Sequence, residues 1–317
     1  MVQLNTHRVE SRRKPFYAAN KQAHTHACIR VCCLKPHKGF FGFLRKGAAD
    51  RLPEVWKYEG YFFDLDGTIY LGGRLLPGVP ESLDLLRRSG KKVMFLSNTT
   101  TRTRQECADR LRRLGLVAYE HEIITAGYAS AVYLKDVTPS PVVYAIGEPA
   151  LLKELILAGV DCTGNPLAAT HVLVGMDTRF DYHKLHQAAR ALRNGAQLIA
   201  ANPDPNCPVE NDLLPDTWPL VKAIETAGCA STGMVIGKPS AYYAAKVLEE
   251  SKLPAEHCLM VGDRLETDVR FGIVHGFGTA LVLTGAASRE ELDQSGLRPD
   301  YVWSTMEELL TAMSASL

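Results

Sequence analysis

The sequence predicts an α/β protein: a parallel sheet covered by helices, with a second, smaller α/β unit within the same chain. Three observations predict it. From Val55 onward, short apolar runs alternate with stretches of helical period, the β-α-β-α order that builds parallel sheets. A Pro-rich joint, Pro139-Ser140-Pro141, then precedes a fresh βα series long enough for a small domain. Several of the apolar runs end in polar residues of one chemical kind, as expected where strands deliver side chains to a shared sheet edge.

Bulk properties narrow the field. The 317 residues suffice for one large domain or two modest ones. A hydrophobic content of 46% with 22% charged residues is ordinary for a soluble globular chain. The formal net charge of +1 gives no global pull toward nucleic acid or anionic membrane. No apolar run approaches the roughly 20 residues of a membrane span. Eight cysteines are scattered without an apparent secretory signal, which predicts reduced thiols and a cytoplasmic location.

Residues 1–54 read differently. The stretch is basic, its only acids up to residue 50 being Glu10 and Asp50, and it keeps no helix or strand period. It resembles an Arg-bearing organelle transit peptide, although it is poor in Ser. A disordered arm and an extension from an upstream start codon are the competing readings. His24, His26, Cys28, Cys32, Cys33 and His37 crowd together here, in a spacing that matches no standard zinc module. Phe40, Phe41 and Phe43 offer a small apolar anchor.

The regular part opens on Tyr61-Phe62-Phe63-Asp64-Leu65-Asp66-Gly67-Thr68. An apolar run stopped by Gly fits a buried strand ending at a turn. In an extended chain Asp64 and Asp66 would point the same way. Two such carboxylates repel unless a cation lies between them or one is protonated. A solvated turn is the plain alternative. Pro77, Gly78 and Pro80 then mark a turn and helix start, and Glu81–Ser89 reads as helix stopped by Gly90. Lys92–Leu96 is a strand ending in Ser97-Asn98-Thr99. Thr101 or Thr103 caps a helix over Arg104–Leu114. A further helix covers about Ala126–Leu134.

Beyond the Pro joint, Val142–Ile146, His171–Gly175 and Gln197–Ala201 read as strands, and Pro149–Ala158 and His183–Asn194 as helices. A Pro- and acid-rich loop runs from Asn202 to Asp216, and Pro219–Ala227 is helical. Val235-Ile236-Gly237-Lys238-Pro239 leads into a helix over Tyr242–Glu250. Cys258–Val261 is a strand ending in Gly262-Asp263-Arg264. Thr279–Leu283 and Tyr301–Val302 are strands, and Met306–Met313 closes the chain as a helix.

The polar strand ends form a coherent set. Ser97-Asn98 offers a hydroxyl, an amide and free backbone N–H groups, which suit an anion such as phosphate. Lys238, held between Gly and Pro, offers a cation to a phosphate or a carboxylate pair. Asp263 adds a third carboxylate. Such a set suits a hard divalent cation and a phosphoryl group together, since magnesium favours few carboxylates, waters and phosphate oxygens. Taken singly, Lys238 reads as a surface lysine, Asp268 as a helix cap and Ser97-Asn98 as a turn.

Taken in order, Asp64-Leu65-Asp66-Gly67-Thr68, Ser97-Asn98, Lys238 and Gly262-Asp263 with Asp268 resemble the four motifs of the haloacid dehalogenase (HAD) superfamily. The longer strings ending at Tyr70, Arg104, Ser240 and Asp268 resemble its NagD-like, 4-nitrophenylphosphatase-type branch. The resemblance covers about residues 58–312. It implies a Rossmann-like core of residues 55–140 and 233–317, with an α/β cap of residues 141–232 between the second and third motifs. It also implies phosphate ester hydrolysis with Mg²⁺. Asp64 would be the nucleophile, and Asp66 the acid and then the base. Thr68 would steady the loop. Ser97, the Asn98 backbone and Lys238 would hold the phosphoryl group. The metal would take the Asp64 carboxylate, the Asp66 carbonyl and Asp263, with Asp268 acting through water or by orienting Lys238. Asp204 resembles a loop residue near the substrate; a substrate contact, a cap-closing contact and a plain turn are all open for it.

Two departures bear on specificity. Thr99 stands where the family often has a second Asn. Asp216-Thr217-Trp218-Pro219 replaces a Gly-rich turn, so that Trp218 would narrow the entrance or pack under the loop. The expected partner is a small phosphate ester, with a homodimer through the cap as the one assembly the family suggests. A phosphotransferase or mutase, or a non-catalytic binding protein on the same fold, are the other classes.

Overall fold

The computed structural model describes residues 54–209 and 212–314. The basic arm, its Cys/His cluster and Phe40–Phe43 lie outside the described residues. The chain runs through two parallel sheets. The first has six strands, in the order Tyr301–Trp303, Gly278–Val282, Cys258–Gly262, Gly60–Phe63, Lys92–Ser97 and Ile123–Thr125. The second has five, ordered Thr232–Val235, Gln197–Ala200, His171–Val174, Val142–Ile146 and Asp161–Cys162.

The first strand, Gly60–Phe63, is central and wholly buried. Alternation along it sends Tyr61 and Phe63 into one core, with Leu83, Leu86, Met306 and Leu309. Phe62 enters the core on the other face, with Met94, Leu134, Tyr243 and Val247. A strand covered on both sides needs a continuous apolar run, and the aromatic triplet provides it. Each such ring contributes about 1.5–3 kcal/mol of burial. From this strand the chain moves outward through Lys92–Ser97 to Ile123–Thr125, then returns on the opposite side at Cys258–Gly262. The order of strands therefore reverses at the carboxyl end of Gly60–Phe63, one residue before Asp64. Ligands of open parallel sheets bind at such a reversal.

Thr103, rather than Thr101, caps the helix Arg104–Arg113, through a capping box with Glu106. Several elements depart from expectation, among them the strands Asp161–Cys162 and Thr232–Val235. The loop Asn202–Asp216 contains a hairpin, Asn206–Val209 paired with Asp212–Pro215. Pro208 and Pro215 disguised it; as a two-stranded ribbon it tolerates prolines that a central strand would not. Ile123–Thr125 was too short to show a period. The helix Arg289–Ser295 buries only Leu292 and so shows no apolar stripe, although its Ser288–Glu291 capping box was readable. Tyr70–Leu71 and Arg74–Leu75 form a small hairpin directly after the acidic pair.

Two crossings join the sheets. One is the Pro joint between the helix Ala126–Val137 and Val142–Ile146. The other is Ile236-Gly237, between Thr232–Val235 and Lys238. Because Thr232–Val235 pairs with Gln197–Ala200, the second sheet extends to Val235. Among the described residues no helix is long and apolar enough to cross a membrane. All five described cysteines, Cys107, Cys162, Cys207, Cys229 and Cys258, are free.

Candidate active site

The strand stops at Phe63, and the chain does not stay extended through the acidic pair. The Leu65 carbonyl accepts from the N–H groups of Thr68, Ile69 and Tyr70, which winds residues 65–70 into a tight turn. Gly67 sits in that turn at φ 88°, a left-handed conformation that glycine adopts without strain. The turn separates the two acids. Asp64 faces inward, its backbone N–H held by Val261 O at 2.9 Å. Asp66 is exposed, and the Tyr70 hydroxyl donates to its Oδ2 at 3.3 Å.

Lys238 arrives from 174 residues away, and its side chain is 1% exposed. Its ammonium donates to Asp64 Oδ1 at 2.7 Å, Asp268 Oδ1 at 2.6 Å and Leu96 O at 2.8 Å. Those three bonds use its full donor capacity. Burial alone would lower the ammonium, but Asp268 and Asp64 outweigh it and hold it above its ordinary value. Burial pushes the Asp64 carboxyl well above the usual range; Lys238 opposes, while Asp268 and Asp263 add to the rise.

Asp263 ends the neighbouring strand. Its Oδ2 accepts from Ala286 N–H at 2.7 Å and its Oδ1 from the Thr68 hydroxyl at 3.4 Å. A Cβ at Gly285 would overlap the Asp263 carboxylate, as would one at Gly67, so two glycines make room for this acid. Burial, then Asp268, push it up to about 6. Asp268 lies on a π-helical turn, Leu265–Val269, and its Oδ2 accepts from Arg264 N–H at 3.1 Å. Irregular helical turns of this kind are frequent at functional sites.

Ser97 and Asn98 leave the adjacent strand and are buried. The Ser97 hydroxyl accepts from Thr99 N–H at 3.2 Å. The Asn98 side chain is committed elsewhere. Its Oδ1 accepts from Lys238 N–H at 2.8 Å, and its Nδ2 donates to Lys238 O at 3.1 Å and to both Asp204 oxygens at 3.2–3.3 Å. Asn202 Nδ2 donates to Asn98 O at 2.7 Å. Asp204 is therefore a partner of Asn98; burial pushes its carboxyl up to about 6. Trp218 is partly buried and packs against the second sheet's core, with Lys222 over its ring at 4.4 Å; its backbone N–H donates to Asp204 O at 3.0 Å.

Asp64, Asp263 and Asp268 each place a carboxylate oxygen within 4.8 Å of the others, a grouping that could hold a metal ion. The donors suit a hard cation: all are oxygens, and three acids face one ammonium, an excess of negative charge that a divalent ion offsets. The Asp66 carboxylate is outside this group.

Comparison with known proteins fits this geometry. Residues 61–161 match the family model described as haloacid dehalogenase-like hydrolase, and residues 235–309 match a second, HAD-hydrolase-like model. The sugar-phosphatase AraL of Bacillus subtilis is 35% identical over 250 residues, which span 79% of this chain and 91% of AraL. The chain belongs to the haloacid dehalogenase-like hydrolase family. Among solved structures, the 4-nitrophenylphosphatase of Thermotoga maritima superposes with a TM-score of 0.77 at 32% identity, covering 81% of this chain and 98% of that one. NagD from E. coli superposes at 0.73 with 28% identity, covering 79% and 98%. The NagD-like branch suggested by the motif strings is thus the branch found.

Within this HAD-like site, sequence reasoning missed Tyr70 and the Asn98 side chain. Tyr70 lies four residues from Asp66, but nothing local ties its hydroxyl to that acid. Crowding by surrounding protein raises the Asp66 carboxyl although the residue faces solvent; Arg110, Arg102 and the Tyr70 hydroxyl oppose the rise.

Proposed function

We propose that the protein is a Mg²⁺-dependent phosphatase that hydrolyses small phosphomonoesters through an aspartyl phosphate on Asp64. The observation that carries this reading is the Lys238 ammonium, shared between Asp64 and Asp268 beside Asp263 at the reversal point of the sheet. With Asp64 Oδ1 held by Lys238, Oδ2 is the atom for phosphorus. The Asp64 O–P bond forms as the P–O bond to the leaving group breaks, and Asp66 gives its proton to the departing oxygen. Asp66 then takes a proton from water, whose oxygen bonds to phosphorus as the Asp64–P bond breaks. The raised Asp66 carboxyl suits a group that must hold a proton and part with it.

Ser97 and the Asn98 backbone would receive phosphoryl oxygens, and Lys238 would fix Asp64 and offset charge on the phosphate. Asp64, Asp263 and the Asp66 carbonyl would hold Mg²⁺, and Asp268 would keep Lys238 in place. Bound there, the metal would offset charge between the anionic nucleophile and an anionic phosphate. The second sheet and its helices would act as the cap, excluding bulk water from the site.

Phosphate release from a panel of sugar, nucleotide and aryl phosphates, with magnesium and with EDTA, tests the reading. Magnesium-dependent release that vanishes in Asp64→Asn with folding retained is expected. Full activity in that variant would reject the reading.

A further inference from the structure

We propose that the site selects phosphate esters whose leaving group carries a second anion, held at the mouth by Arg102 and Arg264. The inference rests on the phosphatase reading above. Arg102 follows the Ser97-Asn98 loop and Arg264 follows Asp263, so they come from the two strands flanking Gly60–Phe63. Both residues are half-buried. Among the described residues neither guanidinium makes a hydrogen bond or an ion pair; Arg264 bonds only through its backbone N–H and C=O. A guanidinium has five donors and no acceptor, and half-burying it unpaired is unfavourable unless water or a ligand takes those donors. The nitrogens are not sealed off. Among the described residues the one sealed side-chain polar atom without a partner is the Tyr301 hydroxyl.

The two cations share one region. The charges of both reach Asp66, and both reach the Cys207 thiol on the hairpin of Asn206–Val209 and Asp212–Pro215. A leaving group must lie beside Asp66 if that acid is to protonate its oxygen. The other nearby cations are committed. Arg110 stacks on Tyr70 at 4.1 Å and donates to Gly72 O at 2.6 Å. Lys238 is taken by Asp64, Asp268 and Leu96. Asp204, then Asp263, Asp64 and Asp268 offset part of the Arg264 charge. The uncommitted positive charge thus lies on the leaving-group side of the site. A carboxylate or a second phosphate matches the guanidinium fork; a neutral polyol cannot use its charge.

Three esters of one chain length test this: hydroxypropyl phosphate, phosphooxypropanoate and propanediol bisphosphate, with p-nitrophenyl phosphate as reference. The full chain with magnesium should show kcat/KM at least about tenfold higher for one or both anionic esters than for the neutral one. That ratio should fall toward one in Arg102→Gln and Arg264→Gln, and should shrink with added salt. The carboxylate and bisphosphate arms identify which anion the site takes. Equal or lower kcat/KM for both anionic esters in the unaltered protein overturns the inference, while turnover of the other two leaves the phosphatase reading standing. No turnover of any of the four overturns that reading instead. A ratio undiminished in both variants, with native melting curves, also overturns the inference.

Discussion

Asn98 grips Lys238 from both sides of its residue: its Oδ1 takes the Lys238 N–H at 2.8 Å and its Nδ2 reaches the Lys238 carbonyl at 3.1 Å. An amide that mimics a backbone in this way fixes the position from which the ammonium reaches Asp64. The same Nδ2 contacts Asp204, three residues beyond Ala201, whose carbonyl accepts Gly237 N–H at 2.8 Å. Asn98 thus ties the exit of the second sheet to the lysine.

From this follows a prediction for Asn98→Ala. The buried Lys238 N–H and C=O lose their partner, at about 1–3 kcal/mol each. Stability should fall, and kcat should fall at least about tenfold with a smaller change in KM, because the defect lies in the placing of Lys238. Urea melts and steady-state kinetics check both. An unchanged kcat would show that the lysine is positioned by its carboxylates alone.

Gly285→Ala should be more damaging than a substitution in a surface loop usually is. The added Cβ meets the Asp263 carboxylate, which must move away from Asp64. The expected signs are a weaker magnesium dependence of activity, with the half-saturating concentration raised about tenfold or more, and a small loss of stability. A magnesium titration with native-like half-saturation would contradict this account of the glycine.

Tyr70→Phe removes a donor that favours the anionic form of Asp66. The Asp66 carboxyl then rises further. If Asp66 must be protonated to release the leaving oxygen, the alkaline limb of kcat/KM moves to higher pH while the maximum falls modestly. A limb moving to lower pH would exclude Asp66 as the titrating acid.

Glu225 offers a pH test far from the site. Lys222 Nζ reaches its Oε2 at 2.6 Å, and Thr232 N–H and hydroxyl both donate to Oε1 at 2.6 Å. Lys222 first, then Thr232, hold its carboxyl down to about 2, below the ordinary 4.5. A depressed carboxyl stabilises the fold above about pH 4.5, and that contribution is lost as the pH falls through about 2. Glu225→Gln should therefore lose roughly 1–2 kcal/mol near neutral pH, allowing for partial solvent screening, and less than half of that near pH 3. Equal losses at both pH values would contradict it.

The sequence showed which residues meet but less of what each does there. Asp64, Lys238 and Asp263 were legible because an aromatic strand, a Gly-Lys-Pro bend and a strand ending in Gly-Asp are local signals. The Asn98 amide was not, since its partners Asp204 and Lys238 lie 106 and 140 residues away and only the fold joins them. The divergence of Asp64 and Asp66 was hidden for a different reason. Period-two alternation holds only while the strand lasts, and here it ends one residue before the first acid. The Asn206–Pro215 hairpin was masked by its prolines, and the helix at Arg289 by its single buried leucine.

The most direct test is where the phosphoryl group goes. Acid-quenched protein, taken during turnover of p-nitrophenyl phosphate with magnesium and analysed by peptide mass spectrometry, should carry one phosphoryl group on the peptide containing Asp64. That adduct should be absent in Asp64→Asn. A phosphoryl group on any other residue, or turnover that continues in Asp64→Asn, would contradict the account.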